Sequence, residues 1–412
     1  MGTFVSDHGL WELGRANIVW ARRGMPILQG IEDRLTRNGT VQNLRIGISL
    51  VLEPKTANLV LALRNAGATV SVTANSASIA DSSVISALQG DGIAVFATPD
   101  GSPEEDLRQA RAFLATGPQI LVDDGAEITR LAHREFPDLI PQMIGATEET
   151  TSGVRPLMAM HADGQLCLPV ISVNGARLKY LFDNVYGTGQ SCVMALLDVT
   201  NLQLAGRRVL VVGYGWVGQG VARHARALGA RVIVAELDPI RALQALHDGH
   251  GVTSVAEAAL TAEVVFAATG IEGAVTAAHV EAMPDGAILC AAGGGDFELP
   301  MDYLATLAPP LAVRQHVEEY RTHQGRRIRL VARGACINCL AGEGNPIEIM
   351  DLSLSLQACA VELLAQKRGQ LAPGIHPIPD DVERAVALER LRLAGASVEP
   401  MTRALSDALS KW

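Results

Sequence analysis

Residues 208–236 read RVLVVGYGWVGQGVARHARALGARVIVAE. An apolar β-branched run breaks at Gly213, glycines follow at 215, 218 and 220, a helical pattern runs to Gly229, and a second β-branched run ends on Glu236. That order predicts a strand, a glycine turn, a helix and a second strand closing on an acid. In such a unit Gly213 permits the tight turn, Gly215 lets a pyrophosphate approach backbone N–H groups at the helix N-terminus, and Gly218 lets helix and strand pack closely. Glu236, 18 residues past Gly218, is placed to accept hydrogen bonds from ribose hydroxyls and to repel a 2′-phosphate. NAD is the expected cofactor, in preference to NADP.

The rest of the chain extends the pattern. Its 412 residues suffice for two or three domains with ample core. Between 44 and 124, the strand-like runs LRIGISLVL, ATVSVTA, GIAVFA and QILVDD alternate with the helical stretches TANLVLALRNAG and EEDLRQARAFLATG, which implies parallel βαβ units. A second α/β set begins near 190 and continues through VVFAATG, AILCAAGGG and RIRLVARG to about 340. The fold class expected is α/β, with two doubly wound parallel sheets of Rossmann type and a short C-terminal helical tail. Polar and glycine residues concentrate in GATEETTSGV and LKYLFDNVYG, between the two sets. A ligand at the carboxyl ends of both sheets would lie in the cleft between them.

Composition excludes several classes. A formal net charge of −10 and the absence of a basic stripe argue against a nucleic-acid partner. No run of 18 uncharged apolar residues is present, so no membrane span is expected. The start, MGTFVSDHGLWELGR, has no basic segment followed by an apolar core, and a cytoplasmic location is the expectation. The six cysteines, at 167, 192, 290, 336, 339 and 359, read as reduced core thiols. Cys336 and Cys339 form a CxxC without a second pair or a nearby histidine, so no metal site is expected. Lysine is scarce: Lys55, Lys179, Lys367 and Lys411 stand against 30 arginines. A lysine kept inside a patterned segment points to a group that must be able to lose its proton.

These segments together resemble the S-adenosylhomocysteine hydrolase (adenosylhomocysteinase) family. The resemblance runs from GRANIVWARRGMPIL through LVDDGAEIT, ATEETTSGV, KYLFDNVYG, GYGWVGQG, AELDPIRALQA and GACINCLAGEGNP to PIPDDVERAVALERL. It implies a substrate domain over 1–185 completed by 345–378, an NAD domain over 186–344, a tail over 379–412, and a homo-oligomer, tetramer or dimer. The family's chemistry is oxidation of the ribose 3′-carbon by a tightly held NAD⁺, loss of the C4′ proton, elimination of the 5′-substituent, addition of water and reduction of the ketone. By resemblance Lys179 handles the 3′-hydroxyl proton, Asp183 hydrogen-bonds the ribose, Asp124 takes the C4′ proton and Glu149 holds the 2′-hydroxyl. Thr150, Thr151, Ser152, Asn184 and Asn338 match positions around the nicotinamide ribose and carboxamide. A lysine in that role needs a pKa lowered toward neutrality, which burial beside the oxidised ring would favour. The bland readings are a helix or turn cap for Asp124, turn hydroxyls for Thr150 and Thr151, and a surface ion pair between Lys179 and Asp183.

Departures from the family are equally informative. The family's His-Met-Thr-x-Glu-Thr is here Val51-Leu52-Glu53-Pro54-Lys55-Thr56, so a histidine, the adenine-contacting threonine and the adenine-reading glutamate are replaced. Gly-His-Phe becomes Gly293, Gly294 and Gly295, and Gly-His-Pro becomes Gly344, Asn345 and Pro346. Three imidazoles suited to acid–base work are gone. Glu53, Lys55 and Asn345 are therefore candidate substrate contacts, and burying the two charges costs free energy unless they meet each other or a charged ligand. Arg241 stands where the family has an asparagine near the cofactor ribose, and the chain ends at LSDALSKW without the family's lysine- and tyrosine-bearing tail, which predicts a more exchangeable NAD. The expected function is an NAD-dependent hydrolase or lyase acting on a small nucleoside or sugar-like thioether by 3′-oxidation and elimination, with altered specificity. The alternatives are a weakened NAD-binding regulatory homologue and a net dehydrogenase releasing NADH.

Overall fold

The computed structural model describes residues 7–99, 101–294 and 296–411. Among them, fifteen strands form two sheets. The first takes β1 (Arg45–Leu50), β2 (Thr69–Ala74), β3 (Ala94–Phe96), β4 (Ile120–Asp123), β5 (Gly145–Glu148) and β6 (Pro169–Ser172). The second takes β7 (Arg208–Val212), β8 (Arg231–Ala235), β9 (Gly251–Val252), β10 (Val264–Ala267), β11 (Ala287–Ala291), β12 (Leu311–Arg314), β13 (Val317–Arg321) and β14 (Arg327–Val331). The late strand β15 (Gly374–Pro377) returns to the first sheet beside β6. Strand order is β15-β6-β5-β4-β1-β2-β3 in one sheet and β12-β13-β14-β11-β10-β7-β8-β9 in the other.

The first sheet is parallel throughout and helices cover both its faces, which is why its strands are continuous apolar runs rather than alternating ones. In β1 every residue from Ile46 to Leu50 is buried. The second sheet departs from the all-parallel expectation at one edge, where β13 pairs antiparallel with both β12 and β14. Only Gln315 and His316 join β12 to β13, and a parallel return needs a crossover of a dozen residues or more.

Each sheet has one place where strand order reverses: between β1 and β4 in the first, and between β7 and β10 in the second. Loops leaving the carboxyl ends of strands diverge at such a point and leave a crevice. A 20-residue helix, Ile347–Gln366, carries the chain back from the second sheet and packs on the first, buried on nearly all sides. Its Asp351 accepts from the N–H groups of Ile27 and Leu28, satisfying the first turn of the helix Pro26–Asn38. Helices Asp380–Leu393 and Arg403–Leu409 close the chain, the latter exposed throughout. No helix among the described residues is long and apolar enough to cross a membrane.

Candidate active site

A cleft of about 1030 Å³ opens between the two strand-order reversals. The loops after β1, β2, β4 and β5 line one wall with Glu53, Asn75, Asp124 and Glu149, and Gly270 and Gly293 come from the other. Lys179, Asp183 and Asn184 reach it from a helix joining the two halves. That helix opens as Arg177–Lys179, winds as a π-helix over Tyr180–Thr188 and resumes α geometry over Gly189–Thr200. The i→i+5 register of a π-helix brings residues four and five positions on to one face. Lys179 Nζ accordingly lies 3.5 Å from Asp183 Oδ1 and donates to Asn184 Oδ1 at 3.2 Å. Glu149 Oε1 is 3.7 Å away on the other side.

Lys179 is 3% exposed, so the surface ion-pair reading fails. Burial lowers its pKa, but Asp183, Glu149 and Asp124 outweigh burial and hold the ammonium above its ordinary value. The expected depression is thus reversed in the free protein, because three carboxylates surround one amine. Those carboxylates bear the complementary strain. Burial raises Glu149 to about 8 in spite of Lys179, and raises Asp124 as well. Glu149 Oε1 is buried without a hydrogen-bond partner, an acceptor left open toward the cleft.

The supporting contacts come from far along the chain. Ser353 donates to Asp183 Oδ2 at 2.6 Å, and Gln357 donates to Glu149 Oε2 while accepting from Thr147 at 2.6 Å. Both belong to the buried helix Ile347–Gln366, and sequence reasoning missed them; the polar spacing in LSLSLQ, four residues apart on an apolar helix, was the available signal. Asn345 donates to Asp183 Oδ1 at 2.9 Å and to Thr188 Oγ1 at 3.2 Å, and accepts from Ser191 and Asn338, both at 3.0 Å. An amide here ties both chain crossings to the carboxylate beside Lys179. Below it, Glu148 accepts from the N–H groups of Gly125, Ala126 and Thr150, which fixes the loop presenting Asp124. Asp124 in turn accepts from Asn75 at 2.7 Å.

Glu53 and Lys55 do meet each other. Lys55 Nζ is 2.5 Å from Glu53 Oε2 and donates to the Glu343 carbonyl at 2.5 Å. Glu53 faces the cleft, with its carboxyl raised to about 7 by burial against the pull of Lys55, whereas Lys55, expected as a substrate contact, is buried and does not line the cleft. Val51, Gly294 and Asn345 lie at the cleft, in or beside the loops where the family has histidines, and no histidine lines it among the described residues; Gly295 lies outside them.

The nucleotide turn follows its expected form. Gly213 has φ 93°, a left-handed conformation that disfavours any side chain. A Cβ on Gly218 would lie 2.0 Å from the Gly213 carbonyl oxygen, whereas one on Gly215 would meet nothing nearer than Arg241 Nη1 at 3.9 Å. The turn is closed behind and open in front, which suits a pyrophosphate on the helix Trp216–Ala227. Glu236 accepts from the N–H groups of Tyr214, Leu237 and Asp238 and is held at the end of β8, where a carboxylate can meet a nucleotide ribose. Arg241 lies 3.7 Å from Asp238. Tyr180 stacks on Trp216 with ring centroids 4.6 Å apart, and backbone meets backbone at Gly189 and Gly220, so the lysine-bearing helix is seated against the nucleotide helix.

Thr150, Ser152, Asn184 and Asn338 line the cleft. Thr150 also caps the helix Thr151–Ala162, accepting from Gly153 N and donating to Glu148, so its bland reading holds. Thr151 does not line the cleft; it accepts from Asn174. The cysteine expectation needs correction. Cys192, Cys290 and Cys359 are buried, but Cys167 is exposed and Cys336 and Cys339 are half-buried at the cleft.

Residues 3–136 match the family model for S-adenosyl-L-homocysteine hydrolase, and residues 184–344 match that for the S-adenosyl-L-homocysteine hydrolase NAD binding domain. The chain is 43% identical over 410 residues to the S-inosyl-L-homocysteine hydrolase of Methanopyrus kandleri, covering 99% of this chain and 97% of that protein. It is 41% identical over 409 residues to the adenosylhomocysteinase of Thermococcus kodakarensis, with the same coverages. Among solved structures, a dipicolinate synthase from Bacillus halodurans aligns with a TM-score of 0.47 and 16% identity over 79% of this chain and 99% of that one. Full-length identity and both family models show that the chain belongs to the S-adenosyl-L-homocysteine hydrolase family, with NAD as its cofactor.

Proposed function

We propose that this family member acts on a ribonucleoside thioether carrying a 6-oxopurine, oxidising the ribose at the 3′-carbon and eliminating the 5′-substituent as a thiol. The observation that carries the reaction is the buried Lys179 facing the cleft among Asp183, Glu149 and Asp124. Gly213, Gly215, Gly218 and Glu236 would hold the NAD, and when bound it supplies the hydride acceptor. The protein's part is proton management and orientation. Glu149, with an open acceptor oxygen, and Asp183 would hold the ribose hydroxyls. Once those hydroxyls hydrogen-bond the two carboxylates, their charge is shared with the ligand and burial dominates at Lys179, releasing its proton-accepting form. Asp124, raised by burial and held by Asn75, is the base for the C4′ proton.

The base preference rests on Glu53 and Lys55. Where the family's glutamate reads an exocyclic amine, Lys55 offers only donors. Two of its three N–H groups are taken by Glu53, which lines the cleft, and by the Glu343 carbonyl, and the third would serve a 6-oxo group that reaches in past Glu53. Glu53 beside it suits an adjacent N1–H. The S-inosyl-L-homocysteine named in the Methanopyrus kandleri relative carries that pattern of donor and acceptor. A homo-oligomer, dimer or tetramer, belongs to the same proposal by resemblance to the family.

Steady-state kinetics on S-inosyl- and S-adenosyl-L-homocysteine test it, with thiol release as the readout. We expect kcat/KM to favour the inosyl substrate by at least about tenfold, and the double variant Glu53→Thr, Lys55→Glu to reverse the preference. Equal rates, or a preference for adenosyl, would refute the base assignment. Free NADH accumulating in place of thiol would favour the net dehydrogenase.

A further inference from the structure

Cys336 and Cys339 take no part in the chemistry above, yet both thiols line the cleft. Cys336 is the N-cap of the short helix Ile337–Leu340 and Cys339 lies three residues on. One helical turn separates their Cα atoms by about 5 Å, inside the range that a disulfide spans. The side chains already converge on one acceptor: the Cys336 and Cys339 sulfurs lie 3.0 and 3.7 Å from Asn338 Oδ1. Asn338 uses its other end on the site, donating to Ser191 Oγ and Asn345 Oδ1 at 3.0 Å each, and Asn345 donates to Asp183. The pair of thiols therefore fixes the amide through which the catalytic carboxylate is anchored to the NAD-binding half.

We propose that Cys336 and Cys339 form a reversible disulfide within the cleft, and that this oxidation weakens the NAD site by freeing Asn338. The oxidant is a low-molecular-weight disulfide. A thiolate of the pair attacks one of its sulfurs and expels a thiolate; the second cysteine then attacks the mixed disulfide and expels the other. The protein gives up two protons and two electrons, and the reagent leaves as two thiols. Bonding brings the sulfurs to about 2 Å and removes both S–H donors, so Asn338 Oδ1 loses these partners and the amide is held only through its Nδ2 bonds to Ser191 and Asn345. Resting on the thioether reading, the thiol released in this cleft is of the class that reverses the step, so the enzyme would be kept active by its own reduced product and silenced when that pool is oxidised.

The test uses the full-length protein loaded with NAD, treated with glutathione disulfide at mildly alkaline pH, alkylated and peptide-mapped. We expect the peptide spanning 336–339 to lose two hydrogens and escape alkylation. NAD retention should fall about tenfold, the loss of one well-placed hydrogen bond, and dithiothreitol should restore it. The double variant Cys336→Ser, Cys339→Ser, which keeps a hydroxyl donor at both positions and has no thiol left there to form a mixed disulfide, should retain NAD through the same treatment. Two alkylated thiols at 336 and 339 would overturn the proposal, as would a formed disulfide with NAD retention unchanged. Equal loss in the double variant would overturn it too, assigning the effect to another thiol such as the exposed Cys167. None of these readouts requires turnover, so they stand apart from the substrate assignment.

Discussion

Replacing Asp183 by asparagine isolates the electrostatics of the site. Side-chain volume is conserved, Asn345 can go on donating to the remaining oxygen, and the Ser353 hydroxyl can turn to accept from the new amide. The change is thus mainly the loss of one negative charge 3.5 Å from Lys179 Nζ. At an effective dielectric of about 20, unit charges at that distance interact by about 5 kcal/mol, a ceiling of about three and a half pKa units. Removing an anion destabilises the ammonium, so the Lys179 pKa must fall, by less than that ceiling because burial is unchanged and Glu149 at 3.7 Å is still present. The chain has only four lysines, so ε-¹³C labelling gives a spectrum of four side-chain signals, and Lys179→Met assigns the relevant one. Its pH titration reads the shift directly. A titration in Asp183→Asn within about half a unit of the wild type, or above it, would refute the claim that the carboxylates, and not burial, set the resting state of this lysine.

Lys179→Met should abolish nicotinamide reduction on addition of substrate while bound NAD, measured after denaturation, stays near one per chain. Gly218→Ala drives a methyl onto the Gly213 carbonyl, where no flexible side chain can yield; a stability loss of about 1–3 kcal/mol and loss of the NAD-induced rise in Tm are expected in thermal melts. Glu149 and Glu53 have folded pKa values of about 8 and about 7 against an ordinary 4.5, so the folded state keeps protons that the unfolded chain releases in that window. Stability of the NAD-free protein should therefore fall as pH rises from about 5 to about 8, and Glu149→Gln should flatten the decline in urea titrations.

The parts of this molecule that were legible in the sequence are local ones. Gly213, Gly215, Gly218 and Glu236 announce their turn because backbone conformation, close packing and phosphate approach each dictate a residue type within a short window. The strand runs of both sheets were readable for a similar reason, since strands buried on both faces must be continuously apolar. What escaped is held by contacts across the chain: Ser353 reaches Asp183 from 170 positions away, and Gln357 reaches Glu149 from 208. No periodicity encodes such a pairing. The resting charge of Lys179 was misjudged because it depends on how many carboxylates the fold brings to one amine, and the half-buried placement of Cys336 and Cys339 was missed because small neighbours read alike in a core and at a cleft wall.

The winding of residues 180–188 also constrains how this chain can vary. On an ordinary α-helix, residues five apart point about 140° away from each other, so Lys179 reaches Asn184 only because this segment holds an extra residue in its turn. Deleting any one residue there would relax the coil and rotate everything that follows by about 100°, swinging the helix Gly189–Thr200 and the strand beyond it out of line with the lysine. Identity along this stretch is negotiable at several positions; its length is not. A drifting homologue can change what the pocket accepts, but the loss of a single residue here disconnects its two halves.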